Sequence, residues 1–116
     1  MRVLVCGGRD FSDENAAWNN LSRLFDEIGD PSIIIHGGSP GADSIAEDYA
    51  QRTNCRSHAF RANWKKHGKA AGPICNQRMI DEGKPDVVVA FPGGRGTADM
   101  VRRAKDAGIR VIEVSA

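Results

Sequence analysis

The stretch DVVVAFPGGRGTAD, residues 86–99, joins a short apolar run to a glycine-rich turn and then to a segment with helical periodicity. The stretch SIIIHGGSPGAD, residues 32–43, has the same arrangement earlier in the chain. A strand, a glycine turn and a helix in this order make an anion site. The glycines let the backbone approach a phosphate, and the free N–H groups at the helix start point at it. Two such units in 116 residues predict a pocket for a nucleotide or a sugar phosphate.

Apolar runs and helical segments alternate along the rest of the chain. The sequence predicts strands at residues 2–6, 32–36, 56–60, 87–91 and 110–114, and helices at residues 12–28, 42–53, 73–82 and 97–107. Ser12 is the expected N-cap of the first helix, whereas residues 61–71 have no clean period. The second and fourth strands are nearly continuous Ile and Val, as in parallel strands buried on both faces. We therefore expect a single domain over residues 1–116 with a doubly wound α/β fold. Its sheet should be mostly parallel, with about five strands and helices on both faces.

Composition and charge exclude several classes of function. An apolar fraction of 41%, a charged fraction of 27% and a net charge of +1 are ordinary for a soluble globular protein and argue against nucleic acid as a partner. No apolar run approaches the ~20 residues of a membrane span, and the N-terminal segment turns polar too soon for a signal peptide. Cys6, Cys55 and Cys75 lack CxxC spacing, so neither a disulfide framework nor a zinc site is expected. The sequence predicts a cytoplasmic protein without a metal or other cofactor.

The candidate ligand-binding residues lie in the loops after the first, second and fourth predicted strands. In doubly wound sheets, ligands bind beyond the carboxyl ends of the strands at the switch point, which is where these loops are. Within them, Arg95 can pair with the charge of an anion, and Thr97 can cap its helix or bind a phosphate. Asp43 either complements a helix dipole or binds ribose hydroxyls. The full set is Gly7, Gly8, Arg9, Gly37, Gly38, Ser39, Gly41, Asp43, Gly93, Gly94, Arg95, Gly96 and Thr97.

A second group of candidates follows the third predicted strand, beginning with the basic segment 61–69. Trp64 can stack on a base and Lys65 can contact a phosphorylated ligand, so the segment is a candidate lid. The alternative is a solvated charge run with Trp64 packed on the core. Asn76 and Arg78 lie in the next helix, two residues apart, so at most one is expected to point into the pocket. The chain has no GxGxxG fingerprint, Walker motif or HExxH motif, which disfavours NAD binding and metal-dependent hydrolysis.

Three stretches together resemble a known family: GGSPGAD at residues 37–43, ANWKKHGKAAGPICNQRM at residues 62–79 and PGGRGTADM at residues 92–100. They are similar to the YspA-type, cpYpsA-related branch of the SLOG superfamily. That superfamily also includes the Lonely-guy cytokinin-activating phosphoribohydrolases and the DprA/Smf DNA-processing proteins. The resemblance covers nearly the whole chain. It implies a Rossmann-like domain that binds a nucleotide or a phosphoribosyl ligand over its glycine turns, and it allows a homodimer.

The resemblance to the phosphoribohydrolases covers the phosphate-binding part of their motif. The motif continues as PGGxGTxxE, and its glutamate position is Met100 in this chain. A methionine cannot act as a general acid or base. The alternative catalytic carboxylates are Asp99, Asp43 and Asp10, and Arg78 is the counterpart of the enzymes' helical arginine.

Three functions therefore remain open. The first is a module that binds a nucleotide-like ligand, for example as a sensor. The second is an enzyme that hydrolyses the N-glycosidic bond of nucleoside 5′-monophosphates. The third is a DprA-like module for nucleic-acid or protein interaction, against which the near-neutral net charge argues.

Overall fold

Five parallel strands form one sheet, in the order β3-β2-β1-β4-β5, in the computed structural model of the protein, which describes residues 1–115. The strands are β1 (Arg2–Cys6), β2 (Ile33–His36), β3 (Arg56–Ala59), β4 (Val87–Ala90) and β5 (Arg110–Glu113). The helices are α1 (Glu14–Ile28), α2 (Ala42–Arg52), α3 (Trp64–His67), α4 (Ala71–Asp81) and α5 (Arg95–Asp106), with a 3-10 turn at Gly68–Ala70. All strand pairs are parallel, which confirms the predicted α/β class. Within residues 1–115, no helix has the length and apolar character needed to cross a membrane.

Two apolar layers cover the two faces of the sheet, because side chains alternate along each strand. On β1, Val3 and Val5 pack with α1 and α2, whereas Leu4 and Cys6 pack with α4 and α5. Burial on both faces explains why β1, β2 and β4 are almost wholly apolar. The edge strands β3 and β5 are more exposed and contain charged residues.

The switch point of the sheet lies between β1 and β4. From β1 the chain winds outward through β2 to β3, and then crosses back through α4 to β4, on the other side of β1. The register pairs Cys6 with Ala90, so β1 and β4 end at the same level. The loops that follow these strands therefore meet at one edge, where doubly wound folds bind their ligands.

The structure corrects the predicted start of α1. Its N-cap is Asp13, whose Oδ1 accepts a hydrogen bond from the N–H of Ala16 at 3.1 Å. The prediction of Ser12 was one residue early, because the helix begins at Glu14 and Asp13 is the residue that reaches the third N–H of the helix. The predicted end is confirmed, since Gly29 closes the helix with φ 100° and its N–H donates a hydrogen bond to the carbonyl oxygen of Phe25.

The predicted starts of two other helices, α5 and α4, each lie two residues too far along the chain. Helix α5 begins at Arg95 rather than at residue 97, because first-turn N–H groups need no intrahelical acceptor and a glycine is tolerated there. Residues 61–71 are not irregular throughout, since Asn63 caps the single turn of α3 by accepting the N–H of Lys66 at 3.1 Å. One turn is too short to show a period in the sequence. Helix α4 then starts at Ala71, two residues before the predicted residue 73.

The apolar layer beneath α1 predicts different costs for two leucines of the same helix. Leu21 is fully buried, whereas Leu24 is half-buried beside that layer. Leu21→Ala should lower the free energy of unfolding by about 2–5 kcal/mol, because alanine keeps the helix but leaves a cavity. Leu24→Ala is the matched control and should cost clearly less in urea titrations. Equal losses would show that α1 does not pack through its Leu21 face.

Candidate functional site

A cavity of about 350 Å³ opens at the carboxyl ends of β1 and β4. Its walls come from the loops after β1, β2, β3 and β4 and from one face of α4. The structure thus brings most of the predicted site residues together. Those that line the cavity are Gly7, Gly8, Arg9, Asp10, Gly37, Ser39, Asp43, Trp64, Asn76, Gly94, Arg95, Gly96 and Thr97.

Some predicted site residues do not line this cavity, namely Gly38, Gly41, Gly93, Lys65, Arg78 and Asp99. Gly41 and Gly93 lie behind its wall and let the loops approach each other. Gly41 has φ +81°, and a Cβ there would overlap the carbonyl oxygen of Gly8. A Cβ on Gly93 would lie 2.7 Å from the backbone nitrogen of Gly8. These two glycines therefore shape the site without facing a ligand.

Sequence reasoning missed the apolar wall of the cavity, which consists of Val5, Cys6, Ala62, Gly72, Cys75 and Met79. Cys75 and Met79 lie four residues apart on α4, a spacing that places both on one helical face and could have indicated them. Burial raises the pKa of the Cys6 thiol to about 12 and also raises the pKa of Cys75. Both thiols stay protonated at neutral pH, so this wall is uncharged.

The first turn of α5 faces the cavity without an acidic residue. The first N–H groups of a helix have no intrahelical acceptor, and Gly94, the N-cap of α5, has no side chain that could accept from them. A Cβ on Gly94 or Gly96 would meet no atom within 4 Å, so the space above this turn is open. The positive end of the helix dipole and the unused donors together suit an anion.

The turn after β2 has a different electrostatic character, because a carboxylate of this chain occupies its N–H groups. Oδ2 of Asp43 accepts hydrogen bonds from the N–H groups of Gly37 and Ser39, both at 3.2 Å. Burial raises the pKa of Asp43, although these hydrogen bonds and the electrostatic influence of His36 and Arg9 oppose the increase. The two glycine turns look alike in sequence, but only the turn at α5 is open to an external anion.

A buried histidine fixes the same turn from its other side. His36 ends β2, and its Nδ1 accepts the N–H of Gly38 at 3.0 Å. Its Nε2 therefore carries the proton and donates to Oε1 of Glu47 at 2.7 Å. Both ring nitrogens are used within the protein, so His36 holds the loop in place.

Trp64 and Arg9 stand at the rim of the cavity. The Arg9 guanidinium lies 5.8 Å from the centre of the Trp64 ring. Trp64 is 51% exposed, so the alternative in which it packs on the core is wrong. A Cβ on Gly72 would lie 3.6 Å from the ring, in ordinary contact with it. One face of an aromatic ring is thus offered beside a cation at the mouth of the site.

Two candidate catalytic residues, Arg78 and Asp99, form ion pairs with other side chains of the protein. Nε of Arg78 pairs with Oε2 of Glu82 at 3.0 Å, and its guanidinium lies 5.5 Å from the centre of the Phe60 ring. Asp99 forms ion pairs with Arg102 and Arg103 on its own helix.

The position that carries glutamate in the phosphoribohydrolases faces the core. Met100 is 1% exposed and belongs to the apolar layer beneath α4 and α5.

Asp10 and Asp43 are the carboxylates that line the cavity among residues 1–115. The part of the chain that the structure describes contains no cluster of three or more His, Cys, Asp or Glu residues placed to hold a metal ion.

The all-parallel sheet with glycine loops at its switch point defines a Rossmann-like domain. A family model described as the YspA, cpYpsA-related SLOG family matches residues 1–67, a segment that includes the loops after β1 and β2 and Trp64. "Gene 61 protein" of Mycobacterium phage D29 is 38% identical over an alignment of 118 positions that covers 96% of this chain and 94% of that protein. The chain therefore belongs to the YspA, cpYpsA-related SLOG family, as the sequence resemblance predicted.

The buried Asp43 predicts a pH dependence of stability. Its pKa in the folded protein lies above the ordinary value of 3.8. The folded protein therefore binds this proton more tightly than the unfolded chain, and stability falls as the pH rises above that value. Asp43→Asn keeps the shape and an acceptor oxygen but removes the titration. Its free energy of unfolding, measured with urea, should rise relative to wild type as the pH increases above the ordinary value of 3.8. A constant or shrinking difference would contradict this assignment.

Proposed function

We propose that this domain binds a nucleotide or a nucleotide-derived phosphoribosyl ligand, with the phosphate at the N-terminus of α5. The observation that carries the proposal is the open, acid-free first turn of α5 above the cavity. Arg95 takes part in none of the ion pairs formed among residues 1–115, so its charge is available to a phosphate. Thr97 lines the same turn and supplies a hydroxyl group. Membership of the SLOG family supports a nucleotide-related ligand.

The rest of the cavity suits a sugar and a base. The exposed face of Trp64 offers a stacking surface, and stacking on an aromatic ring contributes about 1–3 kcal/mol per base. The uncharged wall around Cys75 and Met79 suits an apolar part of the ligand. A volume of about 350 Å³ is small for a ligand site, which favours a mononucleotide over a dinucleotide.

The positions of the carboxylates favour binding over turnover. Hydrolysis of an N-glycosidic bond requires a carboxyl group beside the sugar. Asp99 and Arg78 lie outside the cavity, and Asp43 already accepts two backbone N–H groups. Asp10 is exposed at the rim. Chromatography of nucleoside monophosphates incubated with the protein tests this choice. If free base and ribose 5-phosphate appeared, the proposed function would be hydrolysis and no longer binding alone.

Gly94→Asp tests the position of the phosphate. Aspartate is a good N-cap and its Cβ would meet no atom within 4 Å, so the fold should be retained. Its carboxylate would repel the phosphate. We expect thermal stabilisation by nucleoside 5′-monophosphates or ribose 5-phosphate to disappear in this variant. In the wild type, a ligand at 100 times its Kd adds about 2.7 kcal/mol, which raises Tm by several degrees.

Gly94→Asn is the matched control for that substitution, because asparagine has the same size and capping ability without the charge. It should retain most of the stabilisation. Equal loss in both variants would indicate steric obstruction rather than charge repulsion. Full stabilisation of Gly94→Asp would place the phosphate elsewhere.

The fluorescence of Trp64 can report whether the base of a nucleotide stacks on its ring. Trp18, the other tryptophan, packs against Tyr49 with ring centres 4.6 Å apart, and Trp18→Phe would leave Trp64 as the single tryptophan, which can be excited selectively over Tyr49. In that background, nucleoside monophosphates should change the fluorescence, whereas ribose 5-phosphate should change it much less. Trp64→Leu should weaken nucleotide binding by roughly 5- to 100-fold and leave ribose 5-phosphate binding nearly unchanged. Equal effects on both ligands would remove Trp64 from the base site.

A further inference from the structure

Asn76 has a hydrogen-bond arrangement that phosphate binding alone does not explain. Its Nδ2 donates to the carbonyl oxygen of Gly96 at 3.1 Å and to Oδ2 of Asp99 at 3.0 Å. Both partners are acceptors, so the amide cannot flip without placing oxygen against oxygen. The orientation leaves Oδ1 as an acceptor on a half-buried side chain that lines the cavity.

Asp99 holds this orientation from α5. Its Oδ2 also accepts from Nε of Arg103 at 2.8 Å, and its Oδ1 accepts from Nη2 of Arg102 at 2.9 Å. Burial raises the pKa of Asp99, but the hydrogen bonds from Arg103, Asn76 and Arg102 outweigh it, so the pKa lies below its ordinary value. The carboxylate is therefore ionised at neutral pH and is a fixed acceptor for the amide.

The location of Asn76 determines which part of a ligand it meets. The side chain adjoins Gly96, in the turn of α5 where the proposed function places the phosphate. The sugar is the part of a nucleotide next to its phosphate, whereas the base extends toward Trp64. Sugar hydroxyls are hydrogen-bond donors, which is what a fixed acceptor requires.

We propose that Oδ1 of Asn76 accepts a hydrogen bond from a ribose hydroxyl, so that the site selects ribonucleotides over deoxyribonucleotides, with Asp99 as the positioning residue. This inference rests on the proposed function. A deoxyribose ligand would cover Oδ1 without giving it a donor, and an acceptor that loses its water without gaining a partner is unfavourable.

The test compares adenosine 5′-monophosphate with its 2′-deoxy and 3′-deoxy forms by calorimetric titration. The wild type should bind the ribose form about 5- to 10-fold more tightly than one of the deoxy forms. The deoxy form that loses affinity identifies the hydroxyl. In Asn76→Ala the preference should vanish, while the affinity for that deoxy form changes little. Asn20→Ala, a half-buried asparagine of α1 outside the cavity, is the control and should keep the preference.

Asp99→Asn separates positioning from structural support. An amide at residue 99 holds Asn76 less firmly, because only the carbonyl oxygen of Gly96 then remains an obligatory acceptor for its Nδ2, so the ribose preference should fall while the affinity for the deoxy form is kept. Equal loss for ribose and deoxy ligands would make Asp99 structural only and would overturn its assigned role.

The failure of this inference can be distinguished from failure of the proposed function. A preference that survives in Asn76→Ala, or wild-type protein that binds all three nucleotides equally, would overturn the role of Asn76. Phosphate binding would still stand if Gly94→Asp abolished binding in the same assay. If the wild type bound neither these three nucleotides nor ribose 5-phosphate, the proposed function would be overturned together with the inference.

Discussion

The backbone of Gly8 is the constraint on which the site depends. Its N–H donates to the carbonyl oxygen of Pro92 at 2.8 Å, and its carbonyl oxygen accepts from the N–H of Ala42 at 3.1 Å. One residue at the end of β1 therefore joins the loop before α5 to the start of α2. The close approach leaves no room for a side chain at Gly41, where a Cβ would overlap the Gly8 carbonyl oxygen. With both loops held against β1, the cavity lies where their helices begin, at the switch point of the sheet.

This shared anchor supports two turns of opposite character. Asp43 places a carboxyl oxygen against two N–H groups of the turn after β2, in the place that a bound anion would take in an open turn. Helix α5 has no acidic residue in its first turn, so no carboxylate of that turn offsets the positive end of the helix dipole. A chain of net charge +1 can thus concentrate its affinity for an anion at one point, because backbone dipoles and a few side chains provide the local field.

The sequence was sufficient to predict the order of elements, the α/β class and the three loops, because Ile and Val runs, glycines and helical periods are local signals. It could not distinguish Asp43 from an open ligand-binding carboxylate, since nothing local shows which N–H groups its side chain accepts. The partnership of Asn76 and Asp99 joins residues 23 positions apart on different helices. Such contacts depend on how α4 and α5 pack, which periodicity does not specify. The apolar wall was missed because Cys75 and Met79 are also ordinary core residues of a helix.

The register of α5 explains how the glycine turn before this helix can occur without the carboxylate that follows the PGGxGT motif in the phosphoribohydrolases. Successive residues of a helix point about 100° apart, so residues 99 and 100 face different surroundings. Residue 100 faces the sheet, where Met100 is buried in the apolar layer. Asp99 faces α4, where hydrogen bonds from Arg103 and Asn76 keep it ionised. A carboxylate held in its charged form is a poor proton donor but a reliable anchor for an amide. The turn that carries catalysis in those enzymes thus orients a binding residue in our proposal.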